Sequence, residues 1–280
     1  MENKNYMRSP SLLNNNLNKA MNTFFANVLS NEIIAEDTHH VTFSADKDLK
    51  FEAGQFFNLK LKNPDETSKM PFIFRGYSIA SSPSKLPTFD LCVKVVKFKD
   101  RDTGEASTGV GSGFLGKLTE GVSVEFIGPF GHFSKKSRVK KTVMLATGTG
   151  IAPMRAICEE LSELQFPTKT LLLYGVSNSE FVCYNSFFQK LADMHENFEY
   201  KLFISRETEA QISALKKLNI YNNTKIFSGR ITDGVSELPI VNCKNTDFLI
   251  CGNPAMVKQV RSILKDEKNV EKSDIVTEQY

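Results

Sequence analysis

The stretch Thr142–Pro153, TVMLATGTGIAP, decides how the second half of the chain folds. It starts with an apolar run of strand length, turns at Gly148 and Gly150, and ends in Pro153. Proline suits the first turn of a helix, where its missing N–H costs nothing. Glycines at such a turn let the backbone approach a pyrophosphate, and the free N–H groups of the helix attract the anion. The stretch therefore predicts a strand, a phosphate-binding turn and a helix, although such turns also occur where they only begin a helix.

The pattern continues towards the C-terminus. Thr170–Tyr174, Lys201–Ser205 and Asp247–Cys251 are short, nearly continuous apolar runs, typical of strands buried on both faces of a parallel sheet. Residues at helical spacing lie between the runs and form two apolar stripes: Met154, Ile157, Cys158, Leu161 and Leu164, then Phe187, Phe188, Leu191 and Met194. Alternating strands and helices predict a doubly wound α/β domain over residues 138–280, with ligands at the carboxyl ends of its strands.

The preceding part of the chain has a different pattern. Residues 23–137 hold six short segments rich in Phe and Val, several of which alternate between apolar and polar positions. Such segments predict an antiparallel β-barrel. The six are Phe24–Ser30, His40–Ser44, Gln55–Leu61, Phe74–Ala80, Phe89–Lys97 and Ser123–Gly128.

Composition limits the possible functions. The chain has 280 residues, 41% of them hydrophobic, and a formal net charge of +3, with no dense basic tract that would indicate nucleic-acid binding. Its five cysteines show no C-x-x-C spacing, so we expect no zinc or iron–sulfur site and a reducing compartment. The longest apolar runs have strand length, so no membrane span is expected.

The first 22 residues are rich in asparagine and poor in acidic residues. They are predicted to be a disordered tail, or an over-long start, in which case Met21 is the true first residue. A cleaved transit segment is the third possibility, although it would contain a single arginine, Arg8. The expected location is cytoplasmic, or organellar if the segment directs transit.

Four further motifs have residue types that bind nucleotides. Arg75 can grip a phosphate, and Tyr77, on the same strand face, can stack on a planar ring. Taken alone, the four motifs also fit, in the order given below, an ordinary barrel strand, a flexible loop, a buried cysteine at a strand end and a frayed terminus. The motifs are Arg75-Gly76-Tyr77-Ser78, Gly109-Val110-Gly111-Ser112, Cys251-Gly252-Asn253-Pro254 and Glu278-Gln279-Tyr280.

Taken together and in this order, the motifs resemble those of the ferredoxin–NADP reductase family from about Thr23 to Tyr280. The resemblance implies that the barrel binds FAD: Arg75 and Ser112 hold its phosphates, Tyr77 stacks on the flavin, and Ser78 hydrogen-bonds near flavin N5. It also implies that the strand containing Cys92, Val93 and Lys94 runs beside FAD, and that Gly109 and Gly111 form the pyrophosphate turn.

The same resemblance assigns the second domain to a nicotinamide nucleotide. It implies a nucleotide turn at Gly148, Thr149, Gly150 and Pro153, and a 2′-phosphate contact at Ser205 and Arg206, with Arg230 as a second candidate. It implies further that Cys251 and Gly252 lie beside the nicotinamide, that Glu278 relays a proton, and that Tyr280 stacks on the flavin face that nicotinamide needs.

The family implies a flavoenzyme that transfers hydride between NADPH and FAD and exchanges single electrons with a separate ferredoxin or flavodoxin. NADP is favoured over NAD because Arg206 has the right charge, although the downstream Lys and Tyr of the family are not recognisable. The alternatives are an NADH-dependent reductase component of an oxygenase, a non-catalytic flavin-binding electron-transfer subunit, and a nucleotide-binding protein without flavin.

Overall fold

The structure is a computed structural model that describes residues 22–99, 104–135, 137, 139–221, 224–239 and 243–280. The predicted N-terminal tail, residues 1–22, lies outside the described residues except for Asn22. No helix in the described ranges combines the length and hydropathy that crossing a bilayer requires.

The first half of the chain forms a six-stranded antiparallel sheet with the strand order β4-β3-β8-β1-β2-β5. A β-bridge between Ile79 and Leu91 joins the two ends of this sheet, so the predicted barrel is confirmed. A two-stranded ribbon, β6–β7, and a short helix, α1, follow β5. The elements are β1 (Thr23–Ala35), β2 (Thr38–Ala45), β3 (Phe56–Lys62), β4 (Phe72–Ser78), β5 (Thr88–Lys94), β6 (Lys97–Lys99), β7 (Ala106–Thr108), α1 (Val110–Leu115) and β8 (Ser123–Phe130).

Aromatic rings fill the barrel because alternate residues of each strand point inward. Five buried phenylalanines contact one another with ring centroids 4.9–6.3 Å apart. Edge-to-face packing of such rings adds to the free energy gained from burial. This core fixes the positions of β4 and β5, which both contribute to the site below. The five are Phe24, Phe43, Phe57, Phe89 and Phe126.

The second half forms a six-stranded parallel sheet with the order β12-β11-β10-β9-β13-β14, so the predicted doubly wound α/β fold is confirmed. Strand β9 lies between β10 and β13, which makes it the point at which the strand order reverses. The strands are β9 (Lys141–Thr147), β10 (Thr170–Val176), β11 (Phe198–Ile204), β12 (Lys225–Ser228), β13 (Thr246–Gly252) and β14 (Ile275–Gln279). The helices are α2 (Ile151–Glu163), α3 (Asn185–Met194), α4 (Glu209–Leu215), α5 (Ile231–Ser236) and α6 (Pro254–Ser262), which continues as a π-helical turn, Ile263–Glu267.

Each face of the parallel sheet has its own apolar core. Along β9, Met144 and Ala146 pack on the side of α2 and α3, whereas Val143 and Leu145 pack on the side of α5 and α6. Successive residues point to opposite faces, so a strand covered by helices on both sides must be apolar throughout. This is why the apolar runs predicted parallel strands correctly.

The sequence patterns were wrong or incomplete at several places. Leu164 and Met194, assigned to apolar stripes, are 51% and 61% exposed, because each lies at the end of its helix. The strand predicted over Phe89–Lys97 ends at Lys94. Four strands were not predicted, β6, β7, β12 and β14, because they are short edge strands without a continuous apolar run.

A buried charged cluster joins the two domains. Arg155, on α2, forms ion pairs with Asp90 of β5 at 3.0 Å and with Glu159 at 3.1 Å. Lys85, from the barrel, reaches the same two carboxylates at 3.8 and 2.8 Å. The guanidinium also lies 5.0 Å from the ring centroid of Tyr184. These contacts fix the orientation of the parallel sheet relative to the barrel.

Candidate active site

A cavity of about 650 Å³ lies between the barrel and the parallel sheet. Its walls are formed by β4, β5, the turn at the start of α1, and the end of β14 with Tyr280. These four segments are far apart in sequence, and the closure of the barrel brings the first three together. The cavity contains most of the flavin residues that the sequence predicted, namely Arg75, Tyr77, Ser78, Cys92, Lys94, Gly109, Gly111, Ser112, Glu278 and Tyr280.

The turn at the start of α1 packs closely on β4. A Cβ atom at Gly111 would lie 2.7 Å from the Tyr77 hydroxyl and 2.9 Å from Arg75 Cγ, so only glycine fits there. The Ser112 hydroxyl accepts a hydrogen bond from the Val96 amide at 3.1 Å and is 3.5 Å from the Gly109 carbonyl oxygen. The side chain of Ser112 therefore supports the shape of the turn, and its predicted contact with an FAD phosphate stays a prediction.

Tyr77 is a neutral phenol at physiological pH. Burial raises its pKa to about 12, although the nearby charge of Arg75 acts in the opposite direction. A neutral aromatic ring on the wall of a cavity can stack on a planar ligand. Arg75 itself is exposed, and its Nη1 donates to the Phe74 carbonyl at 2.8 Å, which leaves the rest of its guanidinium facing outward.

A second cavity, of about 790 Å³, opens at the carboxyl ends of the parallel strands. Its wall includes Gly148 and Thr149 after β9, Ser177 after β10, Ser205 after β11 and Arg230 after β12. Strand ends on both sides of the reversal in strand order therefore meet at one cavity, which is where open α/β sheets bind ligands.

The glycines of the nucleotide turn allow two loops to touch. A Cβ atom at Gly150 would lie 2.3 Å from the carbonyl oxygen of Cys251, and Gly252 has a φ of +142° beside Thr147. The Asn253 amide donates to the Thr147 hydroxyl at 3.2 Å. The turn after β9 and the turn after β13 thus form one surface, and any side chain at Gly150 would separate them.

The two cavities meet at four residues, Lys94, Val96, Thr149 and Tyr280. Tyr280 is 57% exposed, yet its phenol oxygen faces the hydroxyl of Thr149 and the thiol of Cys251. The aromatic ring of the last residue therefore stands between the two cavities. A ligand that extended from one cavity to the other would have to displace it.

Comparison with known proteins agrees with this arrangement. The family model described as the oxidoreductase FAD-binding domain matches residues 26–134, and that described as the oxidoreductase NAD-binding domain matches residues 144–262. A chloroplast ferredoxin–NADP reductase, leaf isozyme 1, from rice (Oryza sativa subsp. indica) is 31% identical over 254 residues, which cover 85% of this chain and 67% of the rice protein.

The chain belongs to the ferredoxin–NADP reductase family. It is an oxidoreductase with FAD-binding and NAD-binding domains.

Solved structures of this family and its neighbours have the same fold. The crystal structure of a ferredoxin NADP⁺ reductase from Neisseria gonorrhoeae, with bound FAD and NADP, superposes with a TM-score of 0.69 at 23% identity, covering 92% of this chain and 98% of that one. An Amycolatopsis cytochrome P450 reductase superposes with a TM-score of 0.72 at 26% identity, covering 92% of this chain and 70% of that one.

The polar residues that the family resemblance assigns to hydride transfer lie together. Strands β13 and β14 pair so that Cys251 is opposite Glu278. The Ser78 hydroxyl donates to Glu278 Oε2 at 3.4 Å. Burial raises the pKa of Glu278, and the hydrogen bond from Ser78 offsets only part of this rise. A serine, a thiol and a carboxyl with raised pKa thus converge beside Tyr280.

Cys251 is fully buried, behind Tyr280. Burial, followed by the charge of Glu278, raises the pKa of its thiol, so the group is neutral at physiological pH. The sequence predicted that this thiol points into the ligand crevice. In the structure the Tyr280 phenol contacts the thiol, and contact between Cys251 and a nicotinamide stays a prediction.

Five predicted cofactor residues are absent from the described linings of both cavities, namely Val93, Gly150, Pro153, Arg206 and Gly252. Gly150 and Gly252 lie where the turns after β9 and β13 touch. The side chain of Val93 is in the barrel core, so a cofactor can meet only its backbone. Pro153 is buried within α2. Arg206 is exposed beside Ser205 and is absent from the described lining of the second cavity, so its contact with a nucleotide stays a prediction.

Other lining residues were not predicted. Thr232, Met256 and Gln259 reach the second cavity from α5 and α6. The sequence does signal the start of α6, because asparagine is a favoured N-cap residue and proline suits the first turn. In the structure the Ala255 amide donates a hydrogen bond to Asn253 Oδ1 at 2.9 Å, and Pro254 occupies the first turn. Which face of α6 meets the cavity follows only from packing.

Proposed function

We propose that this protein transfers hydride between NADPH and bound FAD and exchanges single electrons with a separate ferredoxin or flavodoxin. The observation that carries the proposal is the junction of the two cavities at Tyr280. One cavity is lined by residues that the family resemblance assigns to flavin, and the other by residues that it assigns to the nucleotide. Their junction is the place where a nicotinamide ring could reach a flavin ring.

The residues of the first cavity fit FAD. Arg75 and the turn at Gly109–Ser112 line the cavity and would hold the phosphates, and the neutral ring of Tyr77 would stack on the flavin ring system. Because Gly111 has no side chain, this turn packs directly against Arg75 and Tyr77, so that all three line one cavity. FAD, when bound, accepts two electrons from a nicotinamide and releases them one at a time. The protein supplies orientation, which brings the reacting atoms to near-contact.

Glu278 and Ser78 are proposed to hold and move a proton. The raised pKa of Glu278 keeps its proton bound at higher pH than an exposed glutamate would. The Ser78 hydroxyl, 3.4 Å from Glu278 Oε2, lines the flavin cavity and can pass a proton towards a ligand there. Cys251 is proposed to contact the nicotinamide once Tyr280 has moved aside.

Arg230 is the favoured partner of the nucleotide's 2′-phosphate. It lines the second cavity, near the end of β11 where Ser205 also lines it. Its backbone amide donates to Asp233 Oδ2 at 2.8 Å, which holds it at the start of α5. A guanidinium binds a phosphate through paired hydrogen bonds. Arg206, which the sequence favoured over Arg230, is absent from this lining and becomes the second candidate.

The experiment is anaerobic mixing of the purified protein with NADPH and, separately, NADH, while the flavin absorbance is followed. We expect much faster bleaching by NADPH, and reduced protein that passes electrons to ferredoxin or flavodoxin. Faster bleaching by NADH would favour the reductase component of an oxygenase. A yellow protein that neither nucleotide bleaches would be a flavin-binding subunit, and a colourless one would contradict the proposal.

Two matched variants test the specificity. Arg230→Ala is expected to raise KM for NADPH at least tenfold, because one charged hydrogen-bonding partner contributes about 1.5–3 kcal/mol, and to leave KM for NADH unchanged. Arg206→Ala removes the same charge outside the cavity wall and is expected to have a smaller effect. A larger loss in Arg206→Ala would assign the phosphate to that residue instead.

A further inference from the structure

Two cysteines contact each other across the domain boundary. Cys92 lies on β5 of the barrel, and Cys183 lies in the loop that leads into α3 of the second domain. They are 6% and 1% exposed, and their thiols hydrogen-bond to each other. The chain thus brings together two thiols that are 91 residues apart and belong to different domains.

Contacts on both sides hold the pair in place. Two residues beyond Cys92, Lys94 Nζ lies 4.0 Å from the ring centroid of Phe181, which is two residues before Cys183. On the other side His40, the register partner of Cys92, places its Nδ1 2.9 Å from the Tyr184 hydroxyl. Strand and loop are therefore joined on either side of the thiols, which can react without a movement of the domains.

The environment favours reaction of this pair. The hydrogen bond from Cys92 lowers the pKa of Cys183, and Lys94 acts in the same direction, so that burial is outweighed. The thiolate is the nucleophilic form of cysteine. Cys92 lines the flavin cavity, which gives a small oxidant a path to the pair.

We propose that Cys92 and Cys183 form a redox modification site, at which hydrogen peroxide produces a disulfide between the two domains. The Cys183 thiolate attacks a peroxide oxygen, the O–O bond breaks, and hydroxide leaves a sulfenic acid behind. The Cys92 sulfur then attacks that sulfur, the S–O bond breaks, and the hydroxide leaves with the Cys92 proton as water. Two thiols lose two electrons in total, and one peroxide becomes two waters.

The bond would connect the walls of the two cavities. It would tie β5, beside the flavin cavity, to the loop whose Phe181 lines the nucleotide cavity. In a reducing compartment such a bond is transient, as redox-sensing disulfides are. Oxidation would thus fix the two domains relative to each other, and thiol reductants would release them.

The test is treatment of the purified, reduced protein with hydrogen peroxide, followed by digestion without reductant and mass spectrometry. We expect a peptide cross-linked between Cys92 and Cys183, the loss of two free thiols per chain, and full reversal by dithiothreitol. The melting temperature should rise by about 5 °C on oxidation, because the bond closes a long loop. These readouts do not depend on enzymatic activity.

Variants make the result specific. Cys158→Ser, which changes a buried thiol 3.7 Å from Met144 Sδ, should form the same cross-link. Cys183→Ser should form none and show no rise in melting temperature; if it does not fold, the reduced and oxidised wild type still give the comparison. Unreacted thiols, sulfinic acid at Cys92 without a cross-link, or a bond between two chains would overturn the proposal.

Discussion

Under the proposed function, access of the nucleotide to the flavin depends on Tyr280. Its ring separates the two cavities, and its phenol oxygen contacts Thr149 and Cys251. Tyr280 is 57% exposed, so its ring has space to move. Under the proposed function, this ring occupies the nicotinamide position and gives it up when the nucleotide binds.

Removing Tyr280 should tighten nucleotide binding and slow turnover. A ring stacked on a planar ligand contributes about 1–3 kcal/mol, and the incoming nicotinamide regains part of it. We expect about tenfold tighter binding of NADP⁺ to the protein lacking Tyr280, measured by calorimetry, with a lower kcat because the product leaves slowly. Tyr280→Phe, which keeps the ring, is the control and should behave like the wild type. Unchanged affinity in the truncated protein would contradict the displacement model.

Glu278 should make stability depend on pH. Because burial raises its pKa, the native protein keeps a proton that the unfolded chain, with a pKa of about 4.3, has released. Stability should therefore fall as the pH rises through the window between these two values, and remain lower above it. Glu278→Gln should lose this part of the dependence in melting curves recorded from pH 4 to pH 8. The exposed Glu271→Gln is the control, and an equal effect there would refute the assignment.

At the scale of elements, the turn before α1 depends on its close approach to β4. Sequence alone shows several glycines in this turn but does not show which of them is needed. The structure identifies Gly111, since its Cα faces the Tyr77 hydroxyl and Arg75 Cγ. The flavin residues of two distant segments are thereby held side by side.

Gly111→Ala should impair retention of FAD. The added Cβ, 2.7 Å from the Tyr77 hydroxyl, must push the turn away from β4 and displace Tyr77 or Arg75. We expect a purified protein with less than half the normal flavin-to-protein absorbance ratio. Phe114→Ala changes a partly exposed residue on the same helix and should keep its flavin. Full flavin content in Gly111→Ala would show that the turn can shift without loss of the site.

At the scale of the whole molecule, the orientation of the two domains determines whether the cavities meet. Arg155 lies at the centre of their interface, between Asp90 and Glu159. Burial alone would raise the pKa of Asp90, but the charges of His40, Arg155 and Lys85 hold it below its usual value. The carboxylate is thus charged and buried, and it depends on its cationic neighbours.

Arg155→Met should be strongly destabilising, because it leaves the buried Asp90 without its closest cation and removes one of the two cations that contact Glu159. Removing one partner of a buried ion pair costs about 3–5 kcal/mol. Lys85→Met is a matched control, since Lys85 contacts the same carboxylates but is 42% exposed, and its loss should cost about 1 kcal/mol or less. Urea titration of both variants measures the difference. Equal losses would show that the cluster contributes little to holding the domains.

Local sequence patterns were enough to predict the two architectures, and most of the residues proposed to bind flavin and nucleotide lie in motifs visible in the sequence. Apolar runs, alternation and glycine turns depend on neighbours within about ten residues, and strands of a barrel and of a parallel sheet differ in that local pattern. Arg75, Tyr77 and the turn after β9 were recognisable for the same reason, because each motif is contiguous. Edge strands β12 and β14 lack such a pattern and were missed.

Only the tertiary structure decided which of these residues meet. It paired β14 with β13, which placed Glu278 opposite Cys251 and Tyr280 between the cavities. Packing also gave the Ser112 hydroxyl a hydrogen bond from the Val96 amide and placed Arg230 in the wall of the second cavity. It brought the thiols of Cys92 and Cys183 within hydrogen-bonding distance. Each of these contacts joins segments that are far apart in the chain. Local periodicity shows which face of a strand or helix is apolar, but not which distant segment packs against that face.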